Sequence, residues 1–182
     1  MRDPQAAGLT DTAAAGGRRG EAGLLADLRA LAIPFAAHEH PATFTVAESR
    51  ALDAGIPGAH SKNLFLKDAG GAFWLVTVPA AARVDLKALP AALGCRRLSF
   101  ARAAEMERLI GVSPGSVTPL AMIDAAPGTV TPVIDAGLAR AERVNVHPLR
   151  NTATIGLAGA GVLRLLRHWG HAPVVIAVPV AA

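Results

Sequence analysis

The sequence is poor in the residues that commonly cross-link small proteins or ligate zinc. It contains one cysteine, Cys95, which excludes an internal disulfide and a cysteine-based zinc site. It has no tyrosine, and aromatic residues make up 4% of a chain that is 52% hydrophobic. A core of this composition has to be built from leucine, valine, isoleucine and alanine. The single cysteine suits a reducing compartment, so we expect a cytoplasmic protein.

The sequence also lacks long apolar runs. No segment approaches the roughly 18 apolar residues that a membrane-spanning helix needs, and the first twenty residues have no signal-peptide core. Those twenty residues are rich in alanine, glycine and arginine, so we expect residues 1–20 to be disordered and residues 21–182 to form one domain. Lysine and arginine outnumber aspartate and glutamate by 18 to 14, which permits a polyanionic partner without requiring one.

Hydrophobic spacing predicts alternating helices and strands. A helix is predicted from residue 21 to Pro34, and the AGG segment at 69–71 separates two apolar runs, which is typical of a β-hairpin. LAMI, residues 120–123, predicts a strand, and TVTPVID and RVNVHP could pair across AGLARAE, with Pro132 favouring an edge or a bulge. The predicted fold class is therefore α/β (α+β), a single domain whose mixed, largely antiparallel sheet is surrounded by helices.

Two glycine motifs resemble functional loops but fail on chemistry. GVSPG, residues 111–115, matches the nucleophile elbow G-x-S-x-G, yet the residue after Ser113 is Pro114, which has no N–H for an oxyanion hole. The element before Ser113 is also predicted to be a helix rather than a strand. GLAGAG, residues 156–161, has the wrong glycine order for a dinucleotide loop and is interpreted as a turn into the last helix.

Lys62 and Asn63 stand at the start of an apolar run in GAHSKNLFLKD, residues 58–68. Side chains alternate along a strand, so Lys62 is predicted to share a face with Leu64 and Leu66. The lysine either covers apolar surface with its stem or directs its charge into a pocket. The residues by themselves leave both interpretations open.

Other polar features allow a structural or a functional interpretation. The loop GSVTP, residues 115–119, is either an ordinary turn or, because Gly115 permits close approach, a set of fixed N–H groups facing a ligand. His147, before a proline, is either structural or functional. His38 and His40 would share a strand face, but no third ligand has a recognisable spacing, so we predict no metal site.

Several short segments taken in chain order are more specific than any one of them. They are EHP (39–41), FTVAES (44–49), GAHSKNLFLKD (58–68), FWLVTV (73–78), LSF (98–100), LIGVSPGSVTPLAMI (109–123) and VNVHPLRNTATIGL (144–157). Together they resemble the YbaK-like, prolyl-tRNA-synthetase-associated domain family, and within it the freestanding ProX-type prolyl-tRNA editing proteins. The resemblance covers about residues 24–178. It implies a YbaK-like fold.

The resemblance further implies an aminoacyl-tRNA deacylase that acts in trans. Such an enzyme hydrolyses the ester of mischarged tRNA(Pro), with Ala-tRNA(Pro) as the expected substrate, because a synthetase pocket shaped for proline cannot exclude the smaller alanine. The expected mechanism uses no metal and no organic cofactor, and the 2′-hydroxyl of the terminal adenosine assists the attack of water. The implied partners are the acceptor end of tRNA(Pro) and prolyl-tRNA synthetase, with no membrane.

The resemblance also assigns site residues. Lys62 would supply positive charge to the tRNA end, Asn63 a hydrogen bond to the substrate, and His147 would orient Asn63. The backbone from Gly115 to Pro119 would stabilise the oxyanion. The catalytic residues implied are Lys62, Asn63, Gly115 and His147. The substrate-binding residues implied are Val46, Leu64, Ser116, Val117, Thr118, Pro119 and Ile123.

Two alternatives remain open at the level of sequence. Members of the same fold family act on other mischarged tRNAs, so Cys-tRNA(Pro) or Ser/Thr-tRNA is an alternative substrate. A non-catalytic tRNA-binding or synthetase-binding protein would keep the fold but could lose Lys62, Asn63 and the glycine loop. All three are present, which favours an enzyme.

Overall fold

The computed structural model describes residues 17–42, 52 and 54–181. The helices that lie wholly within the described residues are α1 (Gly20–Ala30), α2 (Leu89–Leu93), α3 (Ala103–Ile110), α4 (Ala136–Arg140) and α5 (Gly159–His168), with a 3₁₀ helix at Pro119–Asp124. The strands are β1 (Phe35–Glu39), β2 (Ala59–Asp68), β3 (Phe73–Pro79), β4 (Leu98–Phe100), β5 (Val130–Asp135), β6 (Val144–Val146), β7 (Ala153–Leu157) and β8 (Val174–Ile176). Among the described helices, none has the length and apolar character needed to cross a membrane.

The strands form one mixed sheet in the order β1-β7-β6-β2-β3-β5-β8, with β4 paired to β2. The β1–β7, β2–β3, β2–β4 and β6–β7 pairs are antiparallel, and the β2–β6, β3–β5 and β5–β8 pairs are parallel. The predicted mixed sheet with helices is confirmed. Its central strand, β2, is also the strand that carries Lys62 and Asn63.

The predicted hairpin around residues 69–71 is formed by β2 and β3. The Asp68 carboxylate accepts hydrogen bonds from the N–H groups of Gly70 and Ala72 at 2.8 and 2.9 Å, which closes the turn. Gly71 has a φ of +94°, a conformation that glycine adopts without a steric penalty. The turn fixes the register, so Asn63 lies opposite Thr77.

The strand predicted for LAMI is wrong, because this segment lies in the 3₁₀ helix. The hydroxyl oxygen of Thr118 accepts a hydrogen bond from the N–H of Leu120, and the fixed φ of Pro119 suits the first position of a helix. All residues from Pro119 to Ile123 are buried. Burial on every side removes the periodicity that would distinguish a short helix from a strand.

The predicted pairing of TVTPVID with RVNVHP is also wrong. β5 pairs with β3 and β8, whereas β6 pairs with β2 and β7, and AGLAR between them is helix α4. β5 is therefore an interior strand. β8 pairs only from Val133 onward, so Pro132 lies where β5 has a single neighbour and its missing N–H costs no hydrogen bond to β8.

The sheet carries a hydrophobic cluster on each face. The larger cluster packs Phe65 and Leu75 against α1, α5 and the 3₁₀ helix, and the smaller one packs Leu66 and Val76 beneath α2. Phe65 and Leu66 are adjacent in β2 yet belong to different clusters, as alternation along a strand requires. Both faces of β2 are therefore covered along its second half.

Candidate functional site

Lys62 and Asn63 lie near the start of β2, opposite Val78 and Thr77 of β3. The regular register sends the two side chains to opposite faces of the sheet. Lys62 lies on the face of the smaller cluster, as predicted for the face it shares with Leu64, and is exposed to solvent. Its ammonium group therefore remains available to an incoming ligand.

The side-chain amide of Asn63 is held at both ends. Its Nδ2 donates to the carbonyl oxygen of Val117 at 2.8 Å, and its Oδ1 accepts from the hydroxyl of Thr77 at 2.7 Å. Thr77 is buried, so this threonine fixes the amide orientation from inside the sheet. Asn63 thereby fastens the glycine loop to β2.

The loop from Gly115 to Pro119 combines a glycine-dependent turn with a buried anchor. Gly115 has a φ of +93°, and no heavy atom lies within 4 Å of the position that a Cβ would take. The N–H of Ser116 donates to the carbonyl oxygen of Ser113 at 3.0 Å, whereas Thr118 is fully buried. The exposed turn therefore leaves open space in front of Gly115 while its C-terminal end is fixed in the core.

β2 lacks a strand partner along part of one edge, which we call the β2 gap. β6 pairs with Ala59 and His60, and β4 pairs with Leu66 to Asp68. Residues 61–65 lie between these two partners. The gap therefore opens beside Lys62 and Asn63.

Backbone direction places the peptide groups of Asn63 in the β2 gap. The carbonyl oxygen of Phe65 accepts from the N–H of Ala101 at 3.0 Å on this side of β2. Backbone groups two residues apart along a strand point the same way, so the N–H and C=O of Asn63 face the gap. The described residues provide no strand partner for them there.

His147 lies at the other rim of the gap. The β2–β6 register, Ala59 with Val144 and His60 with Asn145, places His147 beside Lys62 when continued by two residues. Its Nδ1 donates to the carbonyl oxygen of Ala153 at 3.0 Å, which makes Nε2 the acceptor nitrogen of the neutral ring. Asn63 is oriented by Thr77 and Val117 rather than by His147.

The residues predicted to line the pocket do not form one wall. Leu64 packs against the smaller cluster, whereas Ile123 is buried in the larger cluster and lies near α1, with its Cδ1 3.5 Å from the Cβ position of Gly23. Val46 lies outside the described residues. Ser116 and Val117 are half-buried in the loop, so they remain within the candidate site.

Some basic residues near the site are committed to ion pairs. Lys67 bonds Glu105 at 2.7 Å, and this ammonium, with the N–H of Arg102, lowers the pKa of Glu105 to about 2. Arg150 donates to Glu21 at 2.9 Å and to Glu39, which raises the pKa of its guanidinium. Arg150 therefore anchors the segment after His147 to α1 and β1.

The described residues contain no group of three or more histidine, cysteine, aspartate or glutamate side chains arranged to hold a metal ion. His40 donates from Nδ1 to the carbonyl oxygen of Pro41 at 2.8 Å, and its Nε2 lies 3.0 Å from the hydroxyl of Thr154. Both ring nitrogens therefore have protein partners. His38 lies opposite Thr154 in the β1–β7 register. The described residues place no third side chain where it could bind a metal together with His38 and His40.

Thr77 is the contributor to this site that the motifs did not reveal. The signal was present in the hairpin, because residues equidistant from Gly70 pair across a tight turn, and this rule places Thr77 opposite Asn63. A buried polar residue opposite a candidate site residue is a reason to test for a supporting contact. The site is thus a sheet gap with an exposed lysine, a clamped glycine loop and a rim histidine.

Comparison with known proteins points to a single family. The family model described as an aminoacyl-tRNA editing domain matches residues 40–165. A Xenopus laevis protein named prolyl-tRNA synthetase associated domain-containing protein 1 is 40% identical over 160 residues, covering 84% of this chain and 94% of that protein. The prolyl-tRNA editing protein ProX of Acetoanaerobium sticklandii is 30% identical over 149 residues, covering 81% of this chain and 91% of its own length.

Solved structures agree on the fold. A crystal structure described as that of a candidate trans-editing enzyme for prolyl tRNA synthetase superposes with a TM-score of 0.64 at 21% identity, covering 84% of this chain and 93% of the other. At this level of identity the similarity concerns the fold alone.

Proposed function

The chain belongs to the aminoacyl-tRNA editing domain family, and from that premise we propose that it is a trans-editing deacylase that hydrolyses the ester of mischarged tRNA(Pro). The expected substrate is Ala-tRNA(Pro), and the expected partners are the acceptor end of that tRNA and prolyl-tRNA synthetase. The names of the relatives, a prolyl-tRNA editing protein among them, support this assignment. The observation that carries the proposal is the clamp of Asn63 on the glycine loop beside the exposed Lys62.

The loop supplies candidate donors for the oxyanion. Within the described residues the N–H of Ser116 is bonded to Ser113, whereas the N–H groups of Gly115 and Val117 have no hydrogen-bond partner. In the proposed mechanism these two groups stabilise the negative charge on the ester oxygen. The open space in front of Gly115 admits the ester to that position.

Lys62 and the substrate itself complete the proposed chemistry. The Lys62 ammonium, on the face of β2 opposite the Asn63 amide, binds the anionic end of the tRNA beside the β2 gap. The 2′-hydroxyl of the terminal adenosine orients a water molecule, whose oxygen bonds to the ester carbon while the bond to the 3′-oxygen breaks. The products are the free amino acid and tRNA with a free 3′-hydroxyl. No metal or organic cofactor takes part in this proposal.

Release of amino acid from tRNA(Pro) charged separately with alanine, cysteine and proline tests the proposal. We expect rapid loss of alanine, with cysteine and proline retained. Preferred loss of cysteine would change the substrate and keep the chemistry. No acceleration with any of the three would refute the proposed activity on tRNA(Pro).

Two further arms test the mechanism. Charged tRNA that ends in 2′-deoxyadenosine should be hydrolysed far more slowly, because the group that orients water is missing. The rate should be unchanged by EDTA, and a chelator-sensitive rate would contradict a metal-independent mechanism.

A further inference from the structure

Phe100 is an aromatic side chain that the fold leaves in water. It is 62% exposed, although it lies in β4, and Leu98 on the same face is buried in the smaller cluster. The other exposed large hydrophobic residues of the described chain are the aliphatic Val175 and Val180. The Phe100 ring at the end of β4 therefore lies outside the hydrophobic cluster that buries Leu98.

The sheet register places Phe100 on the same face as Lys62. Phe100 lies opposite Leu66 of β2, and Leu66 shares its face with Lys62. The four residue steps from Lys62 to Leu66 span about 13 Å along the strand. A single strand held at Lys62 and running toward β4 would therefore reach Phe100 within its last few nucleotides.

One arginine follows this ring in the chain. The Arg102 side chain is 82% exposed. Continued by two residues, the β2–β4 register places Arg102 opposite Leu64, between Phe100 and Lys62. Glu105 lies 3.5 Å from the Arg102 guanidinium, but its carboxylate also bonds Lys67 at 2.7 Å. An aromatic face flanked by arginine is the combination with which proteins hold unpaired bases and the phosphates between them.

We propose that Phe100 is a stacking platform for an unpaired nucleotide at the 3′ end of the bound tRNA, with Arg102 contacting the adjoining phosphate. The inference rests on the proposed function for the identity of the nucleic acid. It adds a contact on the approach to the β2 gap. Phe100 thus acts in binding and is not a catalytic residue.

Equilibrium binding of uncharged tRNA(Pro), with and without its terminal CCA, tests the platform without requiring hydrolysis. We expect Phe100→Ala to weaken binding of the complete tRNA by about fivefold or more, as loss of one base–aromatic stack predicts. Phe100→Trp should retain the affinity. Val175→Ala, an exposed hydrophobic position on β8, is the matched control and should bind as the wild type does.

The comparison of the two tRNAs makes the test specific. Removing CCA should weaken the wild type more than it weakens Phe100→Ala, because the variant has already lost the contact. Equal affinities of wild type and Phe100→Ala would overturn the inference, as would an equal effect of CCA removal on both. A changed oligomeric state of Phe100→Ala with unchanged tRNA affinity would assign the ring to protein contact and would also overturn it.

Deacylation measured on the same proteins separates this inference from the proposed function. A wild type that binds with the expected coupling but hydrolyses none of the charged tRNAs would refute the deacylase and retain the platform. Hydrolysis of Ala-tRNA(Pro) with no coupling between Phe100 and CCA would support the deacylase and refute the stacking platform.

Discussion

At the scale of single residues, Asn63 and Lys62 are neighbours in β2 with different roles. The amide of Asn63 is occupied by Thr77 and Val117, so it organises the loop from within. Lys62, its neighbour in sequence, points to the other face and stays exposed. Alternation along β2 thus separates a supporting residue from one that is free to meet a ligand.

Lys62→Ala should reduce deacylation by about 100-fold or more, because a charge directed at the substrate is worth several kcal/mol in a partly dehydrated site. The melting temperature should stay within about 2 °C of the wild type, since exposed positions tolerate substitution. Single-turnover deacylation measures the effect, and Lys87→Ala, at another exposed lysine, is the control. Wild-type turnover by Lys62→Ala would remove this lysine from the mechanism.

Thr77→Val should lower both stability and deacylation. It removes the hydroxyl that donates to Asn63 and leaves Oδ1 without that bond, at a cost of about 1 to 3 kcal/mol. A double-mutant cycle with Asn63→Ala, followed by deacylation rate and urea unfolding, measures the coupling. Additive effects on the rate would show that Thr77 does not act through Asn63.

At the scale of elements, the loop before the 3₁₀ helix joins a glycine-dependent turn to a buried end. Gly115 has a positive φ, with open space around the position of a Cβ, and Thr118 is fully buried. The N-terminal end of α3 is fixed by a side chain instead. The Glu105 carboxylate accepts hydrogen bonds from the N–H of Arg102 and from the ammonium of Lys67. The carboxylate thereby joins α3 to β2.

Gly115→Ala should lower deacylation more than its effect on stability explains. A Cβ meets no atom there, but positive φ costs an alanine about 1 to 2 kcal/mol, so the turn shifts toward negative φ and moves the adjacent N–H groups. Gly128→Ala is the matched control, since Gly128 has a φ of +82° and equally open surroundings. The two variants should lose similar stability in urea, and equal loss of activity would contradict a special role for Gly115.

The Lys67–Glu105 pair should make stability depend on pH in acid. Lys67 and then the Arg102 N–H lower the pKa of Glu105 to about 2, so the folded state holds the proton less tightly than the unfolded chain. The contribution is therefore present above the unfolded pKa of 4.5 and is lost as pH falls toward 2. Unfolding of wild type and Lys67→Met, compared between pH 7 and pH 2, should differ at neutral pH and converge in acid. A difference that stays constant would disprove the linkage.

At the scale of the whole molecule, only part of the modest positive charge is available to bind a ligand. The chain carries a formal net charge of +4, but Lys67 and Arg150 are engaged by carboxylates. Lys62 is exposed at the β2 gap, and Arg102 is exposed on the approach to it, with its guanidinium 3.5 Å from Glu105. A polyanion is therefore drawn to that approach by a few exposed charges rather than by a continuous basic surface.

Substrate binding should weaken with salt while the chemical step does not. Phosphate contacts release counterions, so KM for charged tRNA should rise steeply between 50 and 200 mM salt, with kcat nearly constant. Alanine esterified to adenosine lacks the phosphates and serves as the control whose kcat/KM should change little. Equal salt dependence of both substrates would argue against phosphate contacts.

The sequence by itself determined the elements whose causes are local. The hairpin follows from its turn residues and alternation, and α3 ends at Gly111, whose left-handed φ of +73° suits a helix end. By contrast, the turn predicted for GLAGAG, residues 156–161, is wrong, because Gly156 and Leu157 complete β7 and α5 begins at Gly159 after the single residue Ala158. The mixed sheet and the family also followed from sequence, because several motifs retain their order along the chain.

Only the tertiary structure decided what depends on contacts distant in the chain. The partners of β5 and β6, the helical state of LAMI and the separation of Leu64 from Ile123 are set by packing that local propensity does not encode. The β2 gap exists because β6 and β4 end where they do, and the Asn63 clamp joins residues 54 positions apart. Such contacts form only when the whole chain has folded, which is the physical reason that the site's architecture could not be predicted from its motifs alone.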